Sequence, residues 1–269
     1  MKILLHINPD KDKNGSYCAK ITGFFKKYAV DFDVLRNTDT ENSVLSDYTA
    51  MFIVGGDGTI LRKTEIANKN GIPIVGINSG RLGFLTEFES EDAETAIKLL
   101  KDGKLVKDER ITLKAVFNNS TYYALNDVSF SRIYETDKRT IVNLGIKIGS
   151  AIMRDVSGDG VIVSTPTGST AYSLSAGGAI LEPHINALSL TPVAAHSLSA
   201  RPIVFSAENL CCVQHKGGAN AGLYIDGKLV STLKENESVL ISQAEKKTVF
   251  LRKKGFDFFT RLNEKMQDR

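Results

Sequence analysis

The sequence predicts an α/β N-terminal domain with a doubly wound, mostly parallel sheet, followed by an all-β C-terminal domain of sandwich-like character. Over the first hundred residues, short apolar runs alternate with segments of helical periodicity, which is the pattern of βαβ units. From about residue 108, apolar and polar residues alternate with a period of two, and turn residues separate short strands. A chain of 269 residues is long enough for two domains with buried cores.

The change of pattern also predicts the domain limits. We expect residues 1–106 to form the α/β domain and residues 107–246 to form the β-rich domain. The remaining segment, 247–269, includes a short aromatic-rich helix candidate at 256–265. We expect this segment to pack back on the first domain.

In the N-terminal domain, the predicted strands are apolar runs and the predicted helices carry apolar residues three or four positions apart. The first helix places Ala19, Gly23 and Phe24 on one side, and Gly103 suits the end of the third helix. The predicted order is strand 3–7, helix 16–27, strand 31–35, strand 50–54, helix 60–69, strand 72–77 and helix 91–102.

In the C-terminal domain, turn residues separate the strands. Asn118-Asn119 indicates one turn, and Asp226-Gly227 is a strong signal for a two-residue hairpin. The predicted strands are 111–117, 122–132, 141–148, 160–164, 202–205, 210–213, 223–225 and 228–232.

Composition excludes several classes of protein. Hydrophobic residues make up 42% of the chain and charged residues 24%, as in an ordinary soluble globular protein. The net charge of +3 argues against nucleic acid as a partner. The sequence contains no run of 18 apolar residues that would indicate a membrane span. The three cysteines, Cys18, Cys211 and Cys212, form neither a disulfide framework nor a Cys-x-x-Cys pair, which favours the reducing cytoplasm. The basic stretches Lys246-Lys247 and Arg252-Lys253-Lys254 are interpreted as solvated surface.

The most informative motif, Gly55-Gly56-Asp57-Gly58-Thr59, lies between an apolar run and a helix-like segment. A strand that passes through glycines into a helix N-terminus suits an anion, because backbone N–H groups and the helix dipole both favour negative charge. Asp57 would repel a phosphate unless it takes a proton, holds a metal ion or binds a sugar hydroxyl. The motif therefore indicates phosphate chemistry. The alternative is a Gly-Asp-Gly turn in which Asp57 only caps the helix.

A second segment with the character of a binding site follows the predicted strand 160–164. It is rich in hydroxyl groups and small residues as far as Gly178. Hydroxyl groups and free backbone N–H groups suit a polar ligand, and Tyr172 can stack on a base or hydrogen-bond to it. A plain polar loop rarely carries so many small residues directly behind a buried strand, so we expect this loop to bind a ligand.

Six motifs occur along the chain in a characteristic order. They are Gly55-Gly56-Asp57-Gly58-Thr59, Asn78-Ser79-Gly80-Arg81-Leu82-Gly83-Phe84-Leu85, Ala124-Leu125-Asn126-Asp127, the segment 159–178, His196-Ser197-Leu198-Ser199-Ala200-Arg201-Pro202 and Ile225-Asp226-Gly227. In this order they resemble the motifs of the NAD kinase family along almost the whole chain. The first motif alone is shared with lipid kinases and is similar to a phosphofructokinase motif, whereas the other motifs are far more specific.

The resemblance implies an NAD kinase, which transfers the terminal phosphoryl group of ATP to the 2′-hydroxyl of the adenosine ribose of NAD, giving NADP and ADP. It implies a divalent metal ion, Mg²⁺, with its protein ligands left open. It also implies that Asp57 is catalytic, either as acceptor of the hydroxyl proton or as a metal ligand.

The residues implied to face phosphates are Gly55, Gly56, Gly58 and Thr59. The residues implied to bind NAD are Asp57, Gly58, Phe84, Leu85, Asn126, Asp127, Asp159, Thr167, Thr170, Ala171, Tyr172, Ser175 and Asp226. Members of the family are commonly homodimers or homotetramers, and some use polyphosphate in place of ATP.

Several alternatives stay open at the level of sequence. Phe84 fits a core position equally well, Asp127 fits a strand edge, and Asp159 and Asp226 fit turn positions. A lipid kinase would share the first motif but needs an apolar acyl pocket, which the polar loop after residue 164 argues against. A catalytically silent dinucleotide sensor is the other alternative, and the intact Asp57 and Asn126-Asp127 argue against it.

Overall fold

The computed structural model describes residues 1–35, 45, 47–80, 83–133, 141–153, 155–197 and 199–267. Its chain contacts define two compact units, one formed by Met1–Glu109 and Thr248–Arg269 and the other by Arg110–Lys247. None of the described helices has the length and apolarity needed to cross a membrane.

The first unit is built on a seven-stranded sheet. With elements numbered along the whole chain, its strands are β1 (Lys2–Ile7), β2 (Asp31–Val34), β3 (Ala50–Gly55), β4 (Ile74–Asn78), β5 (Phe88–Glu89), β6 (Val106–Arg110) and β20 (Thr248–Arg252). The order is β2-β1-β3-β4-β20-β6, with β5 beside β4. Strands β1, β3 and β4 run parallel to each other and to β2, β5 and β20.

Helices cover both faces of this sheet. The helices are α1 (Ser16–Lys27), α2 (Asp57–Lys69), α3 (Ala93–Lys101) and α5 (Phe258–Gln267). Phe25 of α1 and Ile97 of α3 share a core with Phe52 of β3. Ile60 of α2 lies against Gly76 of β4, whose neighbours in β4 point to the core shared with α1 and α3. Because side chains alternate across a strand, α2 covers the opposite face. The predicted doubly wound α/β domain is confirmed.

The second unit contains two antiparallel sheets. Its strands are β7 (Leu113–Phe117), β8 (Ser120–Ala124), β9 (Asp127–Arg132), β10 (Val142–Ile148), β11 (Ala151–Ile152), β12 (Val156–Gly158), β13 (Gly160–Ser164), β14 (Ala187–Val193), β15 (Ile203–Ser206), β16 (Cys211–Gly218), β17 (Ala221–Ile225), β18 (Lys228–Leu233) and β19 (Ser238–Gln243), with one short helix, α4 (Tyr172–Ser175). One sheet has the order β11-β10-β16-β19-β7-β8 with β12 beside β10, and the other has the order β15-β14-β13-β9-β17-β18. One apolar core takes Leu144 and Val213 from the first sheet and Phe130 and Val163 from the second, which confirms the sandwich-like prediction.

The predicted strand 122–132 is wrong as a single element. The chain leaves one sheet at the end of β8 and enters the other at the start of β9, and Leu125 and Asn126 lie between them. The backbone N–H groups of both residues bond to the Asp226 carboxylate instead of a neighbouring strand. This contact comes from a hundred residues later in the chain, so the local alternation of residues does not reveal it.

Candidate active site

The Gly-Gly-Asp-Gly-Thr motif lies at the carboxyl end of β3. Gly55 ends the strand, Gly56 is the extended residue before the helix, and Asp57 is the first residue of α2. The first N–H groups of a helix have no partner inside it, and Gly58 is exposed. This geometry offers an anion both unpaired backbone N–H groups and the positive end of the helix dipole.

The Asp57 carboxylate is held in one orientation by a loop that follows β4. The N–H of Phe84 donates to Asp57 Oδ2 at 2.8 Å, and the N–H of Leu85 donates to Oδ1 at 3.1 Å. Each carboxylate oxygen has two acceptor sites, so each keeps one that can serve a ligand. The Asp57 carboxylate is thus bonded to a loop distant in sequence and does not cap its own helix.

The loop that holds Asp57 lies very close to its surroundings. A Cβ on Gly83 would overlap Asp57 Oδ1, so any other residue at this position requires the carboxylate or the loop to move. The N–H of Gly83 donates to Thr86 Oγ1 at 2.8 Å, and the N–H of Glu87 donates to the carbonyl of Gly76 in β4 at 3.0 Å. The loop is therefore closed by an internal hydrogen bond and tied to β4 at Glu87.

Arg252 is buried and contacts this loop. The prediction that its basic stretch is solvated surface is therefore wrong for this residue. Its side chain is only 1% exposed. Its guanidinium pairs with Asp108, with Glu87 Oε2 at 3.1 Å, and with the carbonyl of Phe84 at 3.0 Å. Buried charge requires such partners, and these lie far away in sequence.

Thr59 and Asn8 stabilise the glycine motif on its buried side. Thr59 is 3% exposed, and its Oγ1 accepts hydrogen bonds from Asn8 Nδ2 at 3.0 Å and Arg62 Nη2 at 3.3 Å. A Cβ on Gly55 would come within 2.5 Å of the same hydroxyl oxygen. The Thr59 side chain thus faces the interior, while Gly56 and Gly58 present backbone.

Phe84 and Leu85 differ in exposure. Phe84 is partly buried, with its ring centroid 6.2 Å from that of Phe258, whereas Leu85 is 3% exposed. Both contribute backbone N–H groups to Asp57, which the sequence did not suggest.

In the second unit, Asp226 gathers the residues that connect the two sheets. Its Oδ1 accepts from the N–H groups of Asn126 at 2.8 Å and Asp127 at 3.1 Å, and its Oδ2 accepts from Leu125 at 2.9 Å. Asp226 also occupies the hairpin turn, with φ of 47°. It is both the predicted turn residue and the organiser of the Asn126-Asp127 segment.

The loop after β13 joins the same cluster. The Thr165 hydroxyl donates to the Leu125 carbonyl at 2.6 Å, and the Thr165 N–H donates to the Asn126 carbonyl at 2.9 Å. A Cβ on Gly168 would overlap that same carbonyl. Buried Arg110 donates to Thr167 Oγ1 at 3.3 Å. The second unit therefore brings Asn126, Asp127, Thr167 and Asp226 together.

Asp127 carries an unusual charge state. It is 4% exposed at the start of β9. Burial, followed by the nearby Asp226 carboxylate, raises the pKa of Asp127 to about 7. Burial also raises the pKa of Asp226, and its three backbone N–H donors partly offset this. Asp127 thus changes charge near neutral pH, where it can donate or accept a hydrogen bond.

This pKa predicts how stability depends on pH. Between the ordinary value of 3.8 and about 7, the folded protein binds more protons at Asp127 than the unfolded chain does. The free energy of unfolding therefore falls as pH rises through this range, by roughly 2–4 kcal/mol, and the contribution levels off above it. Urea unfolding of the wild type and of Asp127→Asn from pH 4.5 to 8 measures the effect as a pH-dependent difference between them. A difference that stays constant with pH would contradict it.

The remaining predicted residues lie in two places. Tyr172, 42% exposed, and exposed Ser175 belong to α4, and Ala171 directly precedes it. Thr170 is buried and donates to the Thr167 carbonyl at 3.3 Å.

Asp159 lies next to the other end of β13, roughly 17 Å along that strand from the Asp127 end. Its carboxylate is 3.1 Å from Arg132 Nε. Within one chain, Asp159 is not brought to Asp127. Arg81, Leu82 and Leu198, which belong to two of the six motifs, lie outside the described residues.

The carboxylates fit a metal ion that arrives with a nucleotide. Across the described parts of the chain, no three His, Cys, Asp or Glu side chains converge to hold a metal ion. Mg²⁺ is commonly bound through one or two carboxylates together with substrate phosphates. Asp57, with one free acceptor site on each oxygen at the N-terminus of α2, suits that arrangement.

Comparisons with known proteins identify the family of the chain. Residues 9–105 match the family model for the ATP-NAD kinase N-terminal domain, and residues 126–253 match the one for the ATP-NAD kinase C-terminal domain. The chain is 32% identical to an NAD kinase of Caldicellulosiruptor bescii over the whole of both chains. It is 34% identical to an NAD kinase of Caldicellulosiruptor saccharolyticus over 97% of each chain, and 39% identical to one of Heliobacterium modesticaldum over 80% of this chain and 77% of that protein.

Solved structures share the fold. An NAD kinase from Archaeoglobus fulgidus in complex with ATP superposes with a TM-score of 0.82 at 25% identity over the whole of both chains. Yeast NADH kinase complexed with NADH superposes with a TM-score of 0.86 at 23% identity, covering 99% of this chain and 87% of that one. The family models and the relatives assign the chain to a class of nucleotide-binding phosphotransferases. The chain belongs to the NAD kinase family.

Proposed function

We propose that this chain transfers the terminal phosphoryl group of ATP to the 2′-hydroxyl of the adenosine ribose of NAD. The observation that carries the proposal is the Asp57 carboxylate, which two backbone N–H groups fix at the N-terminus of α2, beside a glycine motif that admits phosphates. Phosphoryl transfer depends mainly on positioning and on neutralising charge, and this site supplies both.

In the proposed reaction, the ribose oxygen attacks the terminal phosphorus of ATP, and the bond from that phosphorus to the bridging oxygen of ADP breaks. The hydroxyl proton passes to a free acceptor site of the Asp57 carboxylate. The backbone N–H groups of Gly56 and Gly58 face the phosphates. Asp57 is the carboxylate that would hold Mg²⁺ bound with ATP, and the ion would neutralise phosphate charge.

In the second unit, we assign the recognition of NAD to the cluster that Asp226 organises. Asp127 and Asn126 bind ribose hydroxyl groups, and the loop that carries Thr167, Thr170, Ala171, Tyr172 and Ser175 contacts the dinucleotide. Asp159 lies far along β13, so its proposed contact with NAD involves a second copy of the chain in a homodimer or homotetramer. Three cysteines, none in a disulfide, suit an enzyme of the cytoplasm.

The direct test is NADP formation from NAD, ATP and Mg²⁺ by the purified protein, followed by a coupled assay, with ADP formation measured in parallel. We expect both products in equal amounts and no ADP without NAD. Formation of NADP with polyphosphate but not with ATP would identify polyphosphate as the phosphoryl donor. Absence of NADP with every donor, from a folded protein that binds NAD, would overturn the proposal in favour of a sensor.

Removal of the Asp127 carboxyl group is expected to weaken the use of NAD. Above its pKa of about 7 the Asp127 carboxyl group is charged, so the assay is run at about pH 8.5. A hydrogen bond to a charged group contributes about 1.5–3 kcal/mol, so Asp127→Ala should raise the KM for NAD roughly 10- to 100-fold at that pH. We expect kcat to change less than about threefold. The matched control is Asp155→Ala, which removes an exposed carboxylate paired with Lys216 in the same unit. An unchanged KM in Asp127→Ala would remove this residue from the site.

A further inference from the structure

We propose that Arg252 is a positioning residue that acts on Asp57 through a single peptide group. Arg252 Nη2 donates to the carbonyl oxygen of Phe84 at 3.0 Å. That carbonyl and the N–H of Leu85 belong to the same peptide unit, and this N–H donates to Asp57 Oδ1 at 3.1 Å. The guanidinium, the peptide and the carboxylate form one continuous chain of hydrogen bonds. The inference rests on the proposed function of Asp57.

A cation on a peptide oxygen strengthens the N–H donor of the same peptide, because hydrogen bonds in a chain polarise one another. Arg252 is buried, so water screens its bond to the Phe84 carbonyl only weakly, while Glu87 and Asp108 balance the guanidinium charge. The N–H of Phe84 also donates to Asp57, but it belongs to the preceding peptide, whose carbonyl is that of Gly83. The two donors to Asp57 are therefore unequal, and only one of them depends on Arg252.

The guanidinium is held rigidly enough for this role. Its Nε pairs with Asp108, its Nη1 pairs with Glu87 Oε2, and the Phe256 ring lies 4.1 Å from its central carbon. Glu87 Oε1 also accepts the N–H of Lys253 at 3.3 Å. A lysine ammonium is a single point charge and cannot reach three separate partners in a plane.

The activity test compares Arg252→Met, Arg252→Lys and Lys253→Met. We expect kcat to fall about 30- to 100-fold in Arg252→Met and about tenfold in Arg252→Lys, with the KM for NAD within threefold of wild type in both. Lys253→Met is the matched control, because it removes the neighbouring cation, which lies 3.6 Å from Asp92, and leaves the bond from Arg252 to Phe84. It should keep kcat within twofold. Equal kcat values in wild type and Arg252→Met would overturn the proposal.

A spectroscopic measurement tests the hydrogen-bond chain without relying on activity. In ¹H–¹⁵N spectra of the full chain, Arg252→Met should move the Leu85 amide proton upfield and leave that of Phe84 nearly unchanged, whereas Asp57→Asn should move both. If Arg252→Met does not fold, the triple variant with Glu87→Gln and Asp108→Asn removes the guanidinium without leaving buried charge. Equal movement of the two amides, or of neither, would overturn the proposal. If the wild type forms no NADP, the proposed function fails while this measurement still decides the hydrogen-bond chain.

Discussion

Asp57→Asn is expected to lower kcat by at least about 10³-fold while the dissociation constant for NAD stays within about tenfold. Asparagine has the same shape but cannot accept the hydroxyl proton, and it carries no charge for a metal ion. Its amide NH₂ would also face one of the two backbone N–H groups that the carboxylate now satisfies. Steady-state kinetics and titration calorimetry with NAD measure the two quantities separately.

The control for this variant is Asp12→Asn. The Asp12 carboxylate likewise accepts two backbone N–H groups at the start of a helix, from Tyr17 at 2.8 Å and Cys18 at 3.0 Å. Asp12→Asn should lower the free energy of unfolding by about 1 kcal/mol, as Asp57→Asn should, and keep its kcat within twofold of wild type. If NAD binding collapses in Asp57→Asn, the carboxylate holds the ligand or the loop, and its assignment to the chemical step is wrong.

Gly83→Ala is expected to lower kcat about 100-fold or more. A methyl group at this position would overlap the Asp57 carboxylate, so the loop or the carboxylate must move by about 1 Å. Misplacement of a catalytic group by that distance commonly costs about two orders of magnitude in rate. Both N–H donors to Asp57 follow directly after Gly83, so the displacement reaches the site without an intermediary.

Gly80→Ala provides the comparison for Gly83→Ala, because among the described residues nothing lies within 4 Å of a Cβ on Gly80, which belongs to the same connection after β4. We expect its kcat to stay within twofold of the wild-type value. A Gly83→Ala protein with normal kcat and normal melting temperature would show that the loop adapts freely, and the tight contact would then have no catalytic meaning.

The elements that could be predicted from sequence are those whose causes are local. The α/β pattern, the helix after the glycine motif and the hairpin at Asp226-Gly227 depend on residues within a few positions of one another, and the structure contains all three. Family membership followed from the order of six motifs, which is a property of the sequence itself.

The contacts that orient the site could not be predicted, because they join distant segments. Arg252 resembles the lysines beside it, and only its pairing with Asp108 and Glu87 distinguishes it from a surface residue. The break between β8 and β9 depends on the carboxylate of Asp226. Gly83 lies in one of the six motifs, but the reason for a glycine there is a contact between distant segments, since a Cβ would overlap Asp57. The individual contacts with NAD stay predictions.

The position of β20 has a consequence for the nascent chain. This strand lies between β4 and β6, inside the sheet of the first unit, yet the ribosome makes it only after the whole of the second unit. Domains commonly fold in the order of their synthesis, but here the earlier unit must wait for a late strand. The β-rich unit can mature first, and the peptide between Phe84 and Leu85 gains its contact with Arg252 only when that residue emerges. Incomplete chains released before that point would therefore lack this contact beside Asp57.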